Sequence, residues 1–335
     1  MTFFAKLSVI LVLLIQSMTV IADNDALVIY SGRSDKFVKP VIKAFTKKTG
    51  IKVILHSAKS TALLNKLRVE GDRTEADLFL SNDAGSLQAG AEQKLFQPLA
   101  EKLVSFIAPD LRAKDNTWVG LSARARVLVV NTNVKDVQDL GSVFDLATPR
   151  LKGRIAITNS TNGSFISGAT VYLRAAGKQP VEQWLTGLKE NAGGQVFNKH
   201  SKVVKEVASG KKAVGLINHY YFYRHLAKNP DAPIRLILPD QGKDGMGIAW
   251  NVAGIAVSKY SNKRTQAEKL IAFLVSEEGQ QMFAETNREY PVRTGVSANS
   301  AIPPLNSYKI ANVPMVDLYT YRAATIELIE KLGLP

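Results

Sequence analysis

Two adjacent tyrosines, Tyr220 and Tyr221, follow the apolar segment 213–218 and begin a predicted short helical stretch. Consecutive helical residues point about a hundred degrees apart, so both phenols can converge on one point. A phenol ionises near pH 10 unless a cation draws off its proton, so a site made of two phenolates requires a hard, highly charged metal. Ferric iron suits hard anionic oxygen donors. From these residues alone, half-buried aromatics with hydroxyls in water remain the alternative.

A second polar segment, residues 158–164 (TNSTNGS), lies between a predicted strand and a predicted helix. Its last residues, Asn162, Gly163 and Ser164, can present backbone N–H groups and a hydroxyl at a helix N-terminus. Such groups suit phosphate, carbonate or a carboxylate. Simple N-capping of the helix by Asn162 or Ser164 is the alternative.

Three further segments place polar residues after a predicted strand or at the start of a predicted helix. His200 and Ser201 begin a predicted helix, with Ser201 as its cap, and His200 either donates to an anion or lies at the surface. The loops 31–34 and 81–83 could offer oxygen or guanidinium contacts across a cleft, or could be plain turns.

The elements that must position these residues alternate between strand and helix. In open α/β sheets, ligands bind beyond the carboxyl ends of the strands, which is where the polar segments fall. Repeated β-α-β units imply parallel strands with helices on both faces. The predicted strands are 27–30, 51–55, 77–80, 126–131, 153–158, 213–218 and 248–257, and the main predicted helices are 60–69, 164–176, 181–190, 201–209 and 265–284.

Composition limits the class of protein. The chain has 335 residues, 46% of them apolar, which favours two cores, and it has no Cys for a disulfide or thiolate site. The net charge of +14 favours an anionic partner. The lysines are spread over amphipathic helices, so we expect no nucleic acid partner.

The N-terminus has the pattern of a secretory signal. Lys6 precedes the apolar run 7–15, and residues 20–22 (VIA) form a cleavage site before polar residues. We predict a cleaved signal peptide at residues 1–22 and a periplasmic, soluble protein, with an uncleaved anchor as the alternative. Removal of residues 1–22 deletes one charged residue, Lys6, and leaves a net charge of +13.

Catalytic motifs are absent from the sequence. There is no G-x-S-x-G, H-E-x-x-H or Walker motif, and the four histidines have no zinc-like spacing. We therefore expect a protein that is not an enzyme; a secreted hydrolase would lack a recognisable nucleophile and base.

Six motifs occur in an order that resembles a known family over essentially the whole mature chain. They are LVIYSGR (27–33), FxKxTGIKV (45–53), EGDRTxADLF (70–79), WVGLSARARV (118–127), LINHYY (216–221) and EYPV (289–292). This sequence is similar to the periplasmic ferric-ion-binding proteins of bacterial ABC iron importers.

The resemblance implies an α/β fold of two lobes joined by crossing hinge strands, each lobe a mixed, mostly parallel sheet flanked by helices. The N-terminal lobe is predicted to comprise residues 23–125 plus 252–295, and the C-terminal lobe residues 126–251 plus 296–335. The lobes would close on the ligand by hinge motion near 126–130 and 251–257. Such a protein acts as a monomer and delivers its cargo to an ABC permease in the inner membrane.

The family's functional positions can be carried over residue by residue. The paired tyrosine ligands fall on Tyr220 and Tyr221, and an arginine that some members place beside them falls on Arg224. The anion-binding positions fall on Asn162, Gly163, Ser164, Asn218 and His200. At the position of His200, relatives often have Asn.

The first lobe departs from the family pattern. The histidine ligand of many members falls on Ser34, and the glutamate of some falls on Asn82. The extra tyrosine of another subgroup appears here as Phe165 or Ser164. The first lobe would then add only weaker contacts, from Arg33, Ser34, Asn82 or Asp83.

The predicted cargo is therefore ferric iron, bound with a synergistic anion such as phosphate, carbonate or citrate, or bound as a chelate. Fe³⁺ with two phenolates leaves one positive charge, a nearby arginine adds another, and an oxyanion would neutralise both. The missing first-lobe ligands and the basic charge favour an alternative: a binding protein for a phosphorylated or carboxylated organic anion without iron.

Overall fold

The computed structural model describes residues 25–335, so the predicted signal peptide, residues 1–22, lies outside the described residues. Within this range there are nine strands. They are β1 (Leu27–Ser31), β2 (Val53–Ser57), β3 (Leu78–Ser81), β4 (Phe96–Gln97), β5 (Val119–Asn131), β6 (Ile155–Ala156), β7 (Val214–Asn218), β8 (Ile234–Ile237) and β9 (Trp250–Ser258).

Eleven α-helices alternate with these strands over the same range. They are α1 (Asp35–Thr49), α2 (Ser60–Glu70), α3 (Ala84–Glu92), α4 (Glu101–Val104), α5 (Gly163–Ala176), α6 (Lys178–Ala192), α7 (His200–Ala208), α8 (His219–Leu226), α9 (Arg264–Leu274), α10 (Glu277–Asn287) and α11 (Asp317–Leu332). No helix in residues 25–335 combines the length and apolar character needed to cross a bilayer.

The strands form two sheets that share β5. Residues 119–125 of β5 pair with β9, which continues through β3 and β1 to β2, and β4 lies on β9. We call this group the first sheet. Residues 126–131 of β5 pair with β7 and β8, and β6 lies beside β7; this group is the second sheet. The long, fully buried β5 therefore passes from one sheet to the other.

The sheets are mixed, but the predicted predominance of parallel pairing is wrong. Among the described strands only the pairings β1–β2, β1–β3 and β6–β7 are parallel, and the other five are antiparallel. The physical reason is that β5, which passes through both sheets, runs antiparallel to β7, β8 and β9, and β9 in turn runs antiparallel to β3 and β4.

The predicted helix 265–284 is two helices, α9 and α10. The Ser276 hydroxyl accepts a hydrogen bond from the Gly279 N–H at 3.2 Å and so caps the start of α10. A Cβ at Gly279 would lie 2.2 Å from the Phe273 carbonyl oxygen, so the tight junction requires glycine. The predicted strand 153–158 is shortened to β6, with its pairing limited to two residues.

Helix α7 packs against β7 at unusually short range. A Cβ at Gly215 would lie only 2.6 Å from Val203 Cγ1, so glycine in the strand lets the helix approach. Both Val203 and Gly215 are buried. This contact sets the position of the first residue of α7, His200, relative to the end of β7.

Candidate metal and anion site

The tyrosine pair lies where β7 ends and α8 begins, and both rings line a cavity of about 160 Å³. The centroids of the Tyr220 and Tyr221 rings are 4.5 Å apart, with the ring planes inclined by 36°. Tyr220 is 6% exposed and Tyr221 is half-buried. The strand end and first helical turn therefore direct both phenols to one enclosed space.

The protonation of Tyr221 depends on what the cavity holds. Burial raises the pKa of the Tyr221 phenol, the neighbouring Tyr220 adds to this, and the positive charge of Arg224 offsets only part of it. The phenol is therefore protonated at neutral pH when no cation is bound. A hard cation must supply the energy that ionises it.

Nine of the twelve predicted site residues line this cavity. From the first sheet's loops these are Arg33, Ser34 and Asn82; from the second sheet's side they are Asn162, Gly163, Ser164, His200, Tyr220 and Tyr221. Residues distant in sequence thus face one another across the gap between the sheets. The other three predicted residues, Asn218, Arg224 and Asp83, do not line it.

Residues 158–164, which we call the anion segment, lead into the start of α5. Asn162 Oδ1 accepts a hydrogen bond from the Ser164 N–H at 2.9 Å, so the N-capping expected as an alternative is present. The Ser164 hydroxyl accepts from the Asn218 side-chain amide at 3.2 Å. The cap therefore orders the loop, and the helix N-terminus and Ser164 remain at the cavity wall.

Asn218 connects the anion segment to the tyrosines. Its side-chain amide also donates to the Tyr220 hydroxyl at 3.2 Å, and its Oδ1 accepts from Arg126 Nη1 at 3.1 Å. Asn218 is 1% exposed. It therefore positions Ser164 and Tyr220 from behind the cavity wall.

His200 is buried at the cavity wall. It is 4% exposed, and neither ring nitrogen has a hydrogen-bond partner among the described residues. Burial, followed by the charges of Arg126 and Arg124, holds the pKa of the His200 imidazole well below its usual value. The predicted cap at Ser201 is wrong: α7 starts one residue earlier, with Lys199 at the cap position, because His200 is drawn inward.

Arg33 is held by a buried ion pair and is not a free cation. Its Nη2 donates to both Glu289 oxygens at 2.7 and 2.8 Å, and its Nη1 donates to Ser122 Oγ at 3.0 Å. Burial is the largest single influence and opposes ionisation of Glu289, but the charges of Arg33 and Arg124 and the hydrogen bonds from Arg33 and Ser122 together hold the pKa of that carboxyl below its usual range. Glu289 lines the same cavity.

Asp83 has a structural position. Its Oδ1 accepts from the Gly85 N–H at 3.1 Å, its Oδ2 accepts from Ser86 Oγ at 2.7 Å, and Arg322 Nη1 lies 3.4 Å away. Burial alone would raise the pKa of the Asp83 carboxyl, yet Arg322 and these hydrogen bonds lower it. Asp83 therefore caps α3 as a carboxylate, and only its neighbour Asn82 reaches the cavity.

Arg224 lies behind Tyr221. Its guanidinium carbon is 5.1 Å from the centroid of the Phe37 ring. Together with Lys36, Lys205 and Lys228, it lines a neighbouring groove. Within residues 25–335 none of these three lysines forms an ion pair. Arg224 thus acts on the Tyr221 phenol through its charge.

Two arginines of β5, Arg124 and Arg126, were missed as functional residues by sequence reasoning. Each is 4% exposed, and Arg124 lines the cavity. Arg124 Nη1 and Arg126 Nε have no hydrogen-bond partner among the described residues. Burial lowers the pKa of both guanidinium groups, that of Arg126 to about 10. The available signal was two charged residues within an otherwise apolar strand.

Across residues 25–335 there is no group of three or more His, Asp or Glu side chains that could hold a metal. The candidate metal donors are therefore phenols, and the cations around them suit an anion. An enclosed polar cavity between two sheets that share the strand β5 defines a protein that binds a small charged solute between two lobes.

Comparison with known proteins agrees with this class. Residues 41–309 match the bacterial extracellular solute-binding proteins, and the chain belongs to this family. The major ferric iron-binding protein of Neisseria meningitidis is 31% identical over 311 residues, which cover 91% of this chain and 92% of that protein.

Two solved structures are similar over nearly their whole length. Iron-bound HitA from Pseudomonas aeruginosa has a TM-score of 0.85 at 29% identity, and the match covers 92% of this chain and 99% of the HitA chain. IdiA (FutA) from Trichodesmium, in complex with iron and citrate, has a TM-score of 0.80 at 31% identity, and the match covers 92% of this chain and 100% of the IdiA chain. The predicted two-lobed fold and the resemblance to ferric-ion-binding proteins are confirmed.

Proposed function

We propose that this protein is the solute-binding component of an ABC importer whose cargo is ferric iron held with a synergistic anion. The observation that carries the proposal is the convergence of the Tyr220 and Tyr221 phenols on one cavity, beside the anion segment. The named iron-binding function of the relatives supports the same cargo.

Both phenols would bind Fe³⁺ as phenolates, each releasing a proton. Asn218 holds Tyr220 and Ser164 at fixed positions, so the metal donors and the anion segment are ordered together. Asn162, Gly163 and Ser164 would receive the anion through backbone N–H and hydroxyl groups.

Charge within the site favours a highly charged anion. Fe³⁺ with two phenolates leaves one positive charge, and Arg124 and Arg126 add two more. Arg33 contributes none, because Glu289 neutralises it. Citrate or phosphate, with up to three negative charges, balances this site better than carbonate does. Citrate accompanies iron in the Trichodesmium relative.

The cavity volume limits the size of the cargo. At about 160 Å³ it is smaller than the roughly 300–1,000 Å³ of sites for drug-sized ligands. It therefore suits a metal ion with a small anion better than a large iron chelate.

Closure and release would follow from the crossing strands. We infer lobes of residues 23–125 plus 252–295 and 126–251 plus 296–335, with β5 and β9 as the hinge. Opening would expose the cavity at the permease and release the iron. The protein would act in the periplasm as a monomer after cleavage of residues 1–22, without enzymatic activity and without nucleic acid.

The test is the visible ligand-to-metal charge-transfer band that phenolate–iron bonds produce. The protein incubated with ferric citrate should become coloured, and a Tyr220→Phe, Tyr221→Phe double variant should stay colourless. Tyr223→Phe is the matched control, because Tyr223 lies on the same helix but outside the cavity. The assignment would be contradicted if the Tyr223→Phe control lost its colour while the double variant kept it.

The alternative cargo, an organic anion without iron, predicts a different result. Arg124 and Arg126 favour it, since both are buried with unpartnered donors. In that case, the protein would remain colourless and iron-free but would gain thermal stability from an organophosphate or a polycarboxylate.

A further inference from the structure

His200 shares the cavity wall with the tyrosine pair. Its ring centroid lies 5.1 Å from that of Tyr221, and the two planes are inclined by 37°. The side chain is 4% exposed, and both ring nitrogens lack a partner within residues 25–335. Buried polar atoms are nearly always hydrogen-bonded, so two unpartnered nitrogens on a ring that lines the cavity indicate a missing ligand.

The chemistry of imidazole narrows what that ligand is. A neutral ring has one N–H donor and one nitrogen with a free lone pair. An oxyanion can accept only from the N–H, so it leaves the lone pair unsatisfied. The lone pair requires a donor or a metal ion.

The first sheet provides no competing metal donor of comparable strength. Ser34 and Asn82 are neutral, and the two carboxylates nearby are already engaged, Asp83 with Arg322 and Glu289 with Arg33. A further protein donor to a metal at the tyrosine pair must therefore come from the second sheet's side.

We propose that His200 is a third protein ligand of the ferric ion, donated by α7 and placed on the same side of the cavity as Tyr220 and Tyr221. This inference rests on the proposed function. The neutral imidazole would offer the lone pair of one ring nitrogen to the metal. The close packing of α7 on Gly215 fixes the ring in place.

Pulsed electron paramagnetic resonance of the Fe³⁺-loaded protein tests this bond. Directly bound imidazole gives nitrogen modulation of the iron signal, and growth with ¹⁵N-histidine should change it without any substitution. His200→Asn and His200→Gln should abolish the modulation, keep the tyrosine–iron colour and weaken iron binding at least tenfold.

Two controls separate the sources of the signal. His225→Asn should retain the modulation, because His225 lies outside the cavity on α8. His219 is not a source, because Nδ1 accepts from the Ala125 N–H at 3.1 Å and Nε2 lies 2.9 Å from the Arg288 carbonyl. Coloured protein without nitrogen modulation would overturn the His200 inference alone. Colourless protein would instead overturn the proposed function.

Discussion

The buried pair between Arg33 and Glu289 should dominate the stability of the first sheet's side of the cavity. Both side chains are at most 4% exposed, and the guanidinium contacts both carboxylate oxygens at 2.7 and 2.8 Å. Glu289→Gln keeps the shape but leaves the buried guanidinium without a counter-charge. Removing one partner of such a pair costs about 3–5 kcal/mol, and since glutamine can still accept one hydrogen bond we expect about 3 kcal/mol.

The matched control is an exposed ion pair. Lys48 and Glu278 are 2.5 Å apart, but their side chains are 61% and 50% exposed. Exposed pairs contribute about 0–1 kcal/mol because water and salt screen them. Glu278→Gln should therefore lower the free energy of unfolding by less than about 1 kcal/mol.

Urea unfolding of the iron-free protein, followed by tryptophan fluorescence, measures both changes at pH 7 and in acid. The pKa of Glu289 is below its usual range in the folded state, because Arg33, Arg124 and Ser122 together outweigh the effect of burial. Its contribution is therefore present above the unfolded pKa of about 4.3 and is lost as pH falls through the folded pKa. The gap between wild type and Glu289→Gln should narrow in acid. Equal losses for Glu289→Gln and Glu278→Gln, or a gap that widens in acid, would refute the reasoning.

Three further predictions follow from the site. Asp83→Asn should lower the free energy of unfolding by about 3 kcal/mol, because Arg322 loses its partner, yet leave the iron colour unchanged, since Asp83 lies outside the cavity; loss of colour would contradict this. Because burial keeps Tyr221 protonated without iron, iron binding should release its proton, so Tyr221→Phe should release one proton fewer in weakly buffered solution. Lys36→Gln should tighten iron binding severalfold in chelator competition. Burial and then the charges of Arg224, Lys199 and Lys228 lower the pKa of Lys36, and the repulsion between these cations opposes closure. Lys43→Gln on the same helix should leave iron binding unchanged.

The tyrosine pair and the anion segment could be predicted because their geometry is local. A strand that ends at Asn218 and a helix that begins at once are visible in the pattern of apolar residues. The direction of two consecutive helical side chains then follows from the helix geometry. The same holds for Asn162, whose cap bond spans two residues.

Residues whose roles depend on distant packing could not be predicted. Arg33 and Glu289 are 256 positions apart in sequence, and only the folded sheet brings them together. The burial of Arg124 depends on β5 passing between the two sheets, which no local pattern encodes. His200 lies inside because α7 approaches β7 at Gly215, a contact that sequence periodicity does not specify.

The two sides of the cavity contribute different groups to the proposed binding site. The second sheet's side carries the phenols and the anion segment, and Asn218 ties them together through Tyr220 and Ser164. In the proposed site that set is complete without the first sheet, so iron and its anion would bind to one side while the cleft is open. The first sheet adds Arg124 to the cavity wall, and the interaction of its charge with the anion would strengthen if water leaves on closure. We therefore propose that the negative charge of the bound anion would drive closure, which would explain how a first lobe without a strong metal ligand responds to cargo.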